Sequence, residues 1–349
     1  MPLTRRRFLQ LCAGSTAALG FSGTFIPKLV EALTKAKDTL PVIWIGGQTC
    51  TGCSVSLLNT VHPSIAEVLT EIISLQFHAA VMASSGDLAL SMLDQAKDKL
   101  NGKYVLAVGG SIPTNDDGLY CTIGEKEGHP VTVEHWVRKL GSSATAVLAI
   151  GTCASFGGIP AAPPNPTGAK SVSEILPGKT IINIPGCPPH PDWMVGTIAH
   201  VVLYGLPSLD AYKRPTMFFG SNRVIHDNCE RRAYFDEGKF ARDLSEEYCL
   251  YELGCKGPVT NSDCSIRSWN NGVNWCVQAG APCIGCCSPD FPGQKTAGFY
   301  NKLPEIKLPG VKSSANQIGA VAAGAAAGAI ALHGLGRVLT QNNRKEGDE

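Results

Sequence analysis

Fourteen cysteines stand in a chain of 349 residues, too many for ordinary core filler. Cys50 and Cys53 close a Cys-x-x-Cys, Cys153 follows Gly151-Thr152, and Cys187 follows Pro185-Gly186. Each of these short motifs comes directly after an apolar run that reads as a strand. In open α/β sheets ligands bind outside the carboxyl ends of strands, so Cys50, Cys53, Cys153 and Cys187 can converge on one point. Four thiolates are the ligand set of a 4Fe–4S cluster, and a neighbouring glycine lets backbone approach and donate N–H groups to sulfur. A redox dithiol at Cys50/Cys53, a structural zinc or two disulfides are the competing chemistries. Cys-x-x-Cys alone is a weak signal, and its coincidence with two further strand-end cysteines makes it informative.

Eight more cysteines crowd the last third: Cys229, Cys249, Cys255, Cys264, Cys276, Cys283, Cys286 and Cys287. His226 and Cys229 form a His-x-x-Cys pair, and with Cys249 and Cys255 they make a second set of four. Cys264, Cys276, Cys283 and Cys286 make a third. Cys12, Cys121 and Cys287 are left over. Spacing alone does not fix the membership of these sets.

The elements that must position these residues follow from periodicity. Continuous apolar runs at Val42–Gly46, Leu75–Met82, Tyr104–Val108, Ala146–Ile150 and Thr180–Ile184 suit parallel strands covered on both faces. Helical patterns lie between them at Ser64–Ile73, Asp87–Leu100, Val133–Leu140 and Asp192–Tyr204. The fold class is therefore α/β, a doubly wound, flavodoxin-like parallel sheet over 37–212. The Pro-rich loop Ile159–Gly168 interrupts it. From 213 to 306 sustained periodicity is lost, and so many cysteines in so irregular a stretch require disulfides or metal to hold it together.

Both ends read as addresses. Thr4-Arg5-Arg6-Arg7-Phe8-Leu9 followed by an uncharged run from Leu11 to Pro27 looks like a twin-arginine export signal over 1–36. The small-residue pattern for cleavage near Ala36 is poor. Residues 313–336 carry no charge and are long enough for a hydrocarbon core of ~30 Å. Gly324 and Gly328 would allow close helix packing. Arg337, Arg344 and Lys345 in the tail 337–349 suit a cytoplasmic side. This places the chain on the periplasmic side of the cytoplasmic membrane. A formal net charge of +1 gives no reason to expect nucleic acid as a partner, and 44% hydrophobic residues exclude general disorder.

Taken together, CTGCSVSLLN at Cys50–Asn59, GTCASFGGIPAAPPNPTGA at Gly151–Ala169, PGCPPHPDW at Pro185–Trp193, RVIHDNC at Arg223–Cys229, LGCKGP at Leu253–Pro258 and CIGC at Cys283–Cys286 resemble the small, electron-transferring subunit of a NiFe hydrogenase. The resemblance implies three 4Fe–4S clusters in a row. A proximal cluster would take Cys50, Cys53, Cys153 and Cys187, beside the Ni–Fe centre of a separate large subunit. A distal cluster would take His226, Cys229, Cys249 and Cys255. A medial cluster would take Cys264, Cys283 and Cys286, with Cys276 as fourth ligand where many members carry proline and a 3Fe–4S cluster. In this the chain resembles the NiFeSe-like branch. Gly52 and Gly158 stand where oxygen-tolerant members carry extra cysteines, and Gly109 replaces a common carboxylate, so an ordinary proximal cubane and oxygen sensitivity are expected. The reaction implied is H2 ⇌ 2H⁺ + 2e⁻, with electrons passed to a membrane cytochrome b, a periplasmic cytochrome c or a ferredoxin-like acceptor.

No activated nucleophile is visible. Ser54 and Ser56 lack a recognisable base. His190 and Asp192 read as caps of the following helix, and Glu67, Glu71 and Asp87 as solvated helix faces. His333 would lie in the anchor, where a haem-bearing partner is a weak reading. Trp136, Trp193, Trp269 and Trp275 read as packing. The alternatives are an iron–sulfur protein of a membrane quinone oxidoreductase, which predicts no His-x-x-Cys set and no export signal, and a zinc- or disulfide-stapled exported binding protein, which predicts a colourless chain.

Overall fold

The computed structural model describes residues 40–303 apart from 62, 101, 221–223 and 294–297, and beyond them 306–308, 311–313, 324–326, 328–331 and 333. The expected leader 1–36, most of the expected anchor 313–336 and the tail 337–349 lie outside the described residues.

Five parallel strands form the central sheet: β1 (Leu40–Gly46), β2 (Ile73–His78), β3 (Val105–Gly109), then, after a short antiparallel hairpin of β4 (Thr122–Lys126) and β5 (His129–Thr132), β6 (Ala146–Ile150) and β7 (Ile181–Ile184). Their spatial order is β2-β1-β3-β6-β7, the flavodoxin-like doubly wound order, in which the crevice between β1 and β3 marks the switch of winding direction. Register runs Val42↔Val105, Val105↔Ala146 and Val147↔Ile181. The strand ends after Gly46, Ile150 and Ile184 therefore emerge side by side.

Alternation along the strands feeds two cores. Val42, Trp44, Val105, Ala107, Leu148, Ile150, Ile182 and Ile184 face one way, and Ile43, Ile45, Leu106, Val108, Val147, Ala149 and Ile181 the other. Helices α1 (Gly52–Leu58), α2 (Gly86–Leu100), α3 (Val133–Gly141), α4 (Thr152–Phe156) and α5 (Pro191–Tyr204) cover the sheet. Trp136 of α3 is wholly buried, and its indole N–H donates to the Ile123 carbonyl at 3.0 Å.

The irregular stretch has little regular structure beyond short turns of helix, including α6 (Cys264–Arg267). It is nevertheless anchored. Phe218, Phe219, Ile225, Leu250, Trp275 and Val277 join the first core beside Trp193 and Ile198 of α5. The described residues up to Lys302 make one compact unit. A second begins at Leu303, with a two-stranded hairpin of Ile306–Leu308 and Val311–Ser313.

Several sequence expectations shift. The run Ser64–Ile73 is a single α turn, Ile65–Glu67, followed by a π-helical turn, Val68–Ile72, and β2 begins at Ile73 rather than Leu75. The extra residue of the π turn rotates Val68 and Ile72 into the core. Glu67 is not on a solvated face: its carboxylate accepts from the Ser64 amide at 2.7 Å in a capping box. The β4–β5 hairpin has no signal in the sequence, because its residues are mostly exposed and carry no apolar alternation.

Candidate metal centres

The proximal set forms at the carboxyl edge of the sheet. Cys50 and Cys53 lie on the loop from β1 into α1, Cys153 in α4 after β6, and Cys187 on the loop after β7. Burial and repulsion from other thiols of the set raise Cys53, Cys153 and Cys187. Cys53 is pushed up to about 12, first by burial and then by repulsion from Cys153, Cys50 and Cys187. Cys187 is also pushed up to about 12, by burial, then Cys286, Cys153 and Cys50. Four thiols in mutual electrostatic reach are costly to ionise without a cation among them, and a metal supplies that charge.

Two glycines hold the space. At Gly151 (φ +88) a Cβ would stand 2.5 Å from the Cys53 sulfur. At Gly158 (φ +54) it would meet the Cys153 sulfur at 2.8 Å and the Cys153 amide nitrogen at 2.9 Å. A cysteine at 158 would therefore strike the backbone of a proposed ligand. Gly109 ends β3 against Trp44, where a Cβ would lie 3.3 Å from the indole nitrogen.

The distal set surrounds one cavity, lined by His226, Cys229, Cys249 and Cys255 together with Leu250, Tyr251, Trp275 and Val277. The His226 ring packs edge-on against Phe235, with centroids 4.5 Å apart. Its Nε2 is buried with no hydrogen-bond partner among the described residues. Burial lowers the His226 pKa, reinforced by Arg232, so the ring is neutral at pH 7, the form that ligates metal. Cys229 is pushed up to about 11 by burial.

The medial set centres on Cys286. Cys264, Cys276 and Cys283 each feel its charge. Ser262 donates its hydroxyl to the Cys264 sulfur at 3.2 Å, and the Gly285 amide donates to the Cys283 sulfur at 3.4 Å. Cys264 and Cys283 are buried, whereas Cys276 is exposed. Cys286 is held down to about 7, first by the Cys287 thiol and then, against its burial, by backbone N–H groups including that of Cys187.

Every described cysteine is free, which removes the disulfide alternatives among the described residues. No three His, Cys, Asp or Glu side chains there are close enough to hold a single ion. Structural zinc gathers four donors on one ion, a closer spacing than this one. A cubane is compatible with it, because each of its four thiolates binds a different iron atom. The donor chemistry, the glycine cradles and the orphan His226 Nε2 fit such clusters.

Residues 221–300 match the family of the C-terminal part of the NiFe/NiFeSe hydrogenase small subunit, and residues 50–201 the family described as NADH ubiquinone oxidoreductase, 20 Kd subunit. The periplasmic NiFeSe hydrogenase small subunit of Desulfomicrobium baculatum is 48% identical over 316 residues, covering 86% of this chain and 99% of that one. The chain belongs to the small subunits of the NiFe/NiFeSe hydrogenases. The Hydrogenase-2 small chain of Escherichia coli K12 is 43% identical, covering 93% of this chain and 87% of its relative. A crystal structure of a reduced, active form of the Desulfomicrobium baculatum Ni-Fe-Se hydrogenase superposes with a TM-score of 0.72 at 48% identity, covering 76% of this chain and 100% of that one. This hydrogenase small subunit is the electron-transfer partner in an oxidoreductase heterodimer: it holds iron–sulfur clusters, and the Ni–Fe centre lies in the large subunit. The match at 50–201 covers the domain shared with quinone oxidoreductases. The match at 221–300, which contains His226 and Cys229, separates the two readings.

Other residues singled out in the sequence also find places. His78 accepts from the Ala80 amide through Nδ1 at 3.1 Å, so its Nε2–H donates to Ser54 Oγ at 3.0 Å. The imidazole is then a donor to Ser54, not its base, and Ser54 is not activated. His190 caps α5 through Nδ1, which accepts from the Asp192 amide at 3.1 Å, and its Nε2 donates to the Ser268 carbonyl at 2.8 Å. Trp193, Trp269 and Trp275 pack around the cluster loops, as expected, with Trp193 donating to Asp263 and Trp275 to Glu230. One group has no signal in the sequence. Arg267 bridges Asp192 at 2.9 Å and Asp263 at 2.6 Å, tying α6 to the N-terminus of α5. Nothing in the sequence pairs Arg267 with Asp192, 75 positions away.

Proposed function

We propose that this hydrogenase small subunit passes electrons singly through three 4Fe–4S clusters: proximal on Cys50, Cys53, Cys153 and Cys187, medial on Cys264, Cys276, Cys283 and Cys286, and distal on His226, Cys229, Cys249 and Cys255. The observation that carries the reading is the Nε2 of His226, buried and without a hydrogen-bond partner among the described residues, lining one cavity with three cysteines. An imidazole nitrogen out of water and without a hydrogen bond is costly unless something else binds it. When bound, each cluster takes up or gives one electron, and the thiolates and glycine-opened loops of this chain hold it and set its polarity.

The proximal end is the face for the large subunit. Cys50 is exposed there, beside exposed Val55, Leu58 and Val61 of α1 and the turn after it, and a cavity of ≈ 670 Å³ lined by Gly52, Val55, Ser56, Pro188 and Trp269. The acceptor is a membrane cytochrome b, a periplasmic cytochrome c or a ferredoxin-like protein. The reading includes export by the twin-arginine route to the periplasmic side and anchoring by 313–336. A relative named as periplasmic and the Arg5–Phe8 motif support the location. No described helix is long and apolar enough to cross a membrane, so the anchor rests on the uncharged run alone.

The test is iron, acid-labile sulfide and low-temperature EPR on the anaerobically purified heterodimer, counted on the small subunit. The expected result is about twelve iron and twelve sulfide, with no 3Fe–4S signal on oxidation. About eleven iron with that signal would remove Cys276 from the medial set, and zinc or no metal would end the reading.

A further inference from the structure

Between the proximal and medial ligand loops lies a wholly buried hydroxyl. Thr152, 1% exposed, opens α4 and immediately precedes Cys153. Its hydroxyl donates to the Cys286 carbonyl at 2.5 Å and accepts from the Gly186 amide at 2.8 Å, one residue before Cys187. The Thr152 amide in turn donates to the Gly186 carbonyl at 3.0 Å. One side chain therefore joins three cysteine loops: by covalent backbone to Cys153, and by hydrogen bonds to the segment before Cys187 and to Cys286.

We propose that Thr152 is a positioning residue for electron transfer, joining the proximal and medial cluster loops by a hydrogen-bonded path that carries the electronic coupling between them. Tunnelling falls off less steeply through covalent and hydrogen bonds than across a non-bonded gap. The route from Cys153 through Thr152 Oγ1–H to the Cys286 carbonyl crosses one short hydrogen bond and no non-bonded gap. In the transfer the proximal site loses one electron and the medial site gains it. No bond is made or broken, and the Thr152 proton stays on Oγ1. The hydroxyl has no competing duty: its one hydrogen goes to Cys286, and the lone pair facing Gly186 is filled. Buried hydrogen-bond chains of this kind polarise one another and fix their members tightly, so the same contacts that hold the distance also supply the coupling.

This inference rests on the cluster assignment above, and the experiment separates the two. In the intact heterodimer, Thr152→Val removes the hydroxyl at nearly constant shape, and Thr152→Ser restores it without the methyl. Iron and sulfide content and the midpoint potentials of all clusters are measured first, then the rate at which the medial cluster is reduced after mixing with H2, by freeze-quench EPR. Wild-type protein lacking iron at these loops would sink the cluster assignment before any variant is made. With clusters present, the expected result is a several-fold slower medial reduction in Thr152→Val at unchanged iron content and potentials, with the rate recovered in Thr152→Ser. A wild-type rate in Thr152→Val would overturn the proposal. Loss of iron or a shifted potential in step with the slower rate would also overturn it, by reducing Thr152 to a structural staple.

Discussion

At the residue scale, the proposed ligands differ in how completely the fold prepares them. The His226 Nε2 is the clearest case, already bare and buried. Replacing His226 with alanine is expected to abolish the distal EPR signal and lower the iron count of the small subunit, while the proximal signal persists. Cys276 is the least enclosed member of the medial set. Cys276→Pro is expected to convert that cluster to a 3Fe–4S type with a new EPR signal on oxidation and a higher potential, since cluster type is a main determinant of potential. The thiols also make a prediction about pH. Cys53 and Cys187 are raised to about 12 and Cys229 to about 11 in the folded, metal-free chain. The unfolded chain, with ordinary thiols, loses those protons first. The contribution of these three thiols to the stability of the metal-free chain is therefore fully present below an ordinary thiol pKa of about 8.5 and is lost as pH rises toward 12. Denaturant midpoints taken at about pH 8 and about pH 10 should drop at the higher pH, and a rise would contradict the burial of these thiols.

At the element scale, the loops after β1, β6 and β7 matter more than the strands that deliver them. Gly158 sits in the left-handed region with the backbone of Cys153 directly behind it. Gly158→Ala is expected to distort that loop and reduce proximal cluster content, seen as lost iron and a weakened proximal signal. The link between α5 and α6 is a buried ionic device near the proposed cluster ligands. Arg267, Asp192 and Asp263 are mostly buried, and Trp193 adds a 2.8 Å hydrogen bond to Asp263. Removing the cation alone leaves two carboxylates facing each other out of water. Arg267→Met is expected to destabilise the chain by about 3–5 kcal/mol, read from chemical denaturation. A loss below about 1 kcal/mol would mean that water already reaches the pair.

At the scale of the whole molecule, the proposed reading makes the chain a path with one end at the large subunit. Cys50 and the apolar flank of Val55, Leu58 and Val61 share that end. Exposed aliphatic side chains around one short helix, next to a thiol that must be shielded, suit a surface covered by a partner. Leu58→Asp is expected to weaken heterodimer formation, measured by co-purification of the large subunit, while leaving the folded sheet intact. Retention of full co-purification would move the interface elsewhere.

Much of this is legible in the sequence, for physical reasons that can be named. The strands β1, β3, β6 and β7 announce themselves because parallel strands buried on both faces must be continuously apolar. The cysteines stand out because no core needs so many. The doubly wound order then places the β1, β6 and β7 loops at one edge, since crossovers of one hand leave little alternative. Sequence could not decide which thiols beyond 212 meet, because the turns there carry no period and their neighbours are set by packing against α5. Nor could it find the bridge from Arg267 to Asp192 or the hydroxyl of Thr152 between Cys153 and Cys286. Those depend on residues 75 and 134 positions apart being brought within hydrogen-bond distance, and only the closed tertiary structure does that.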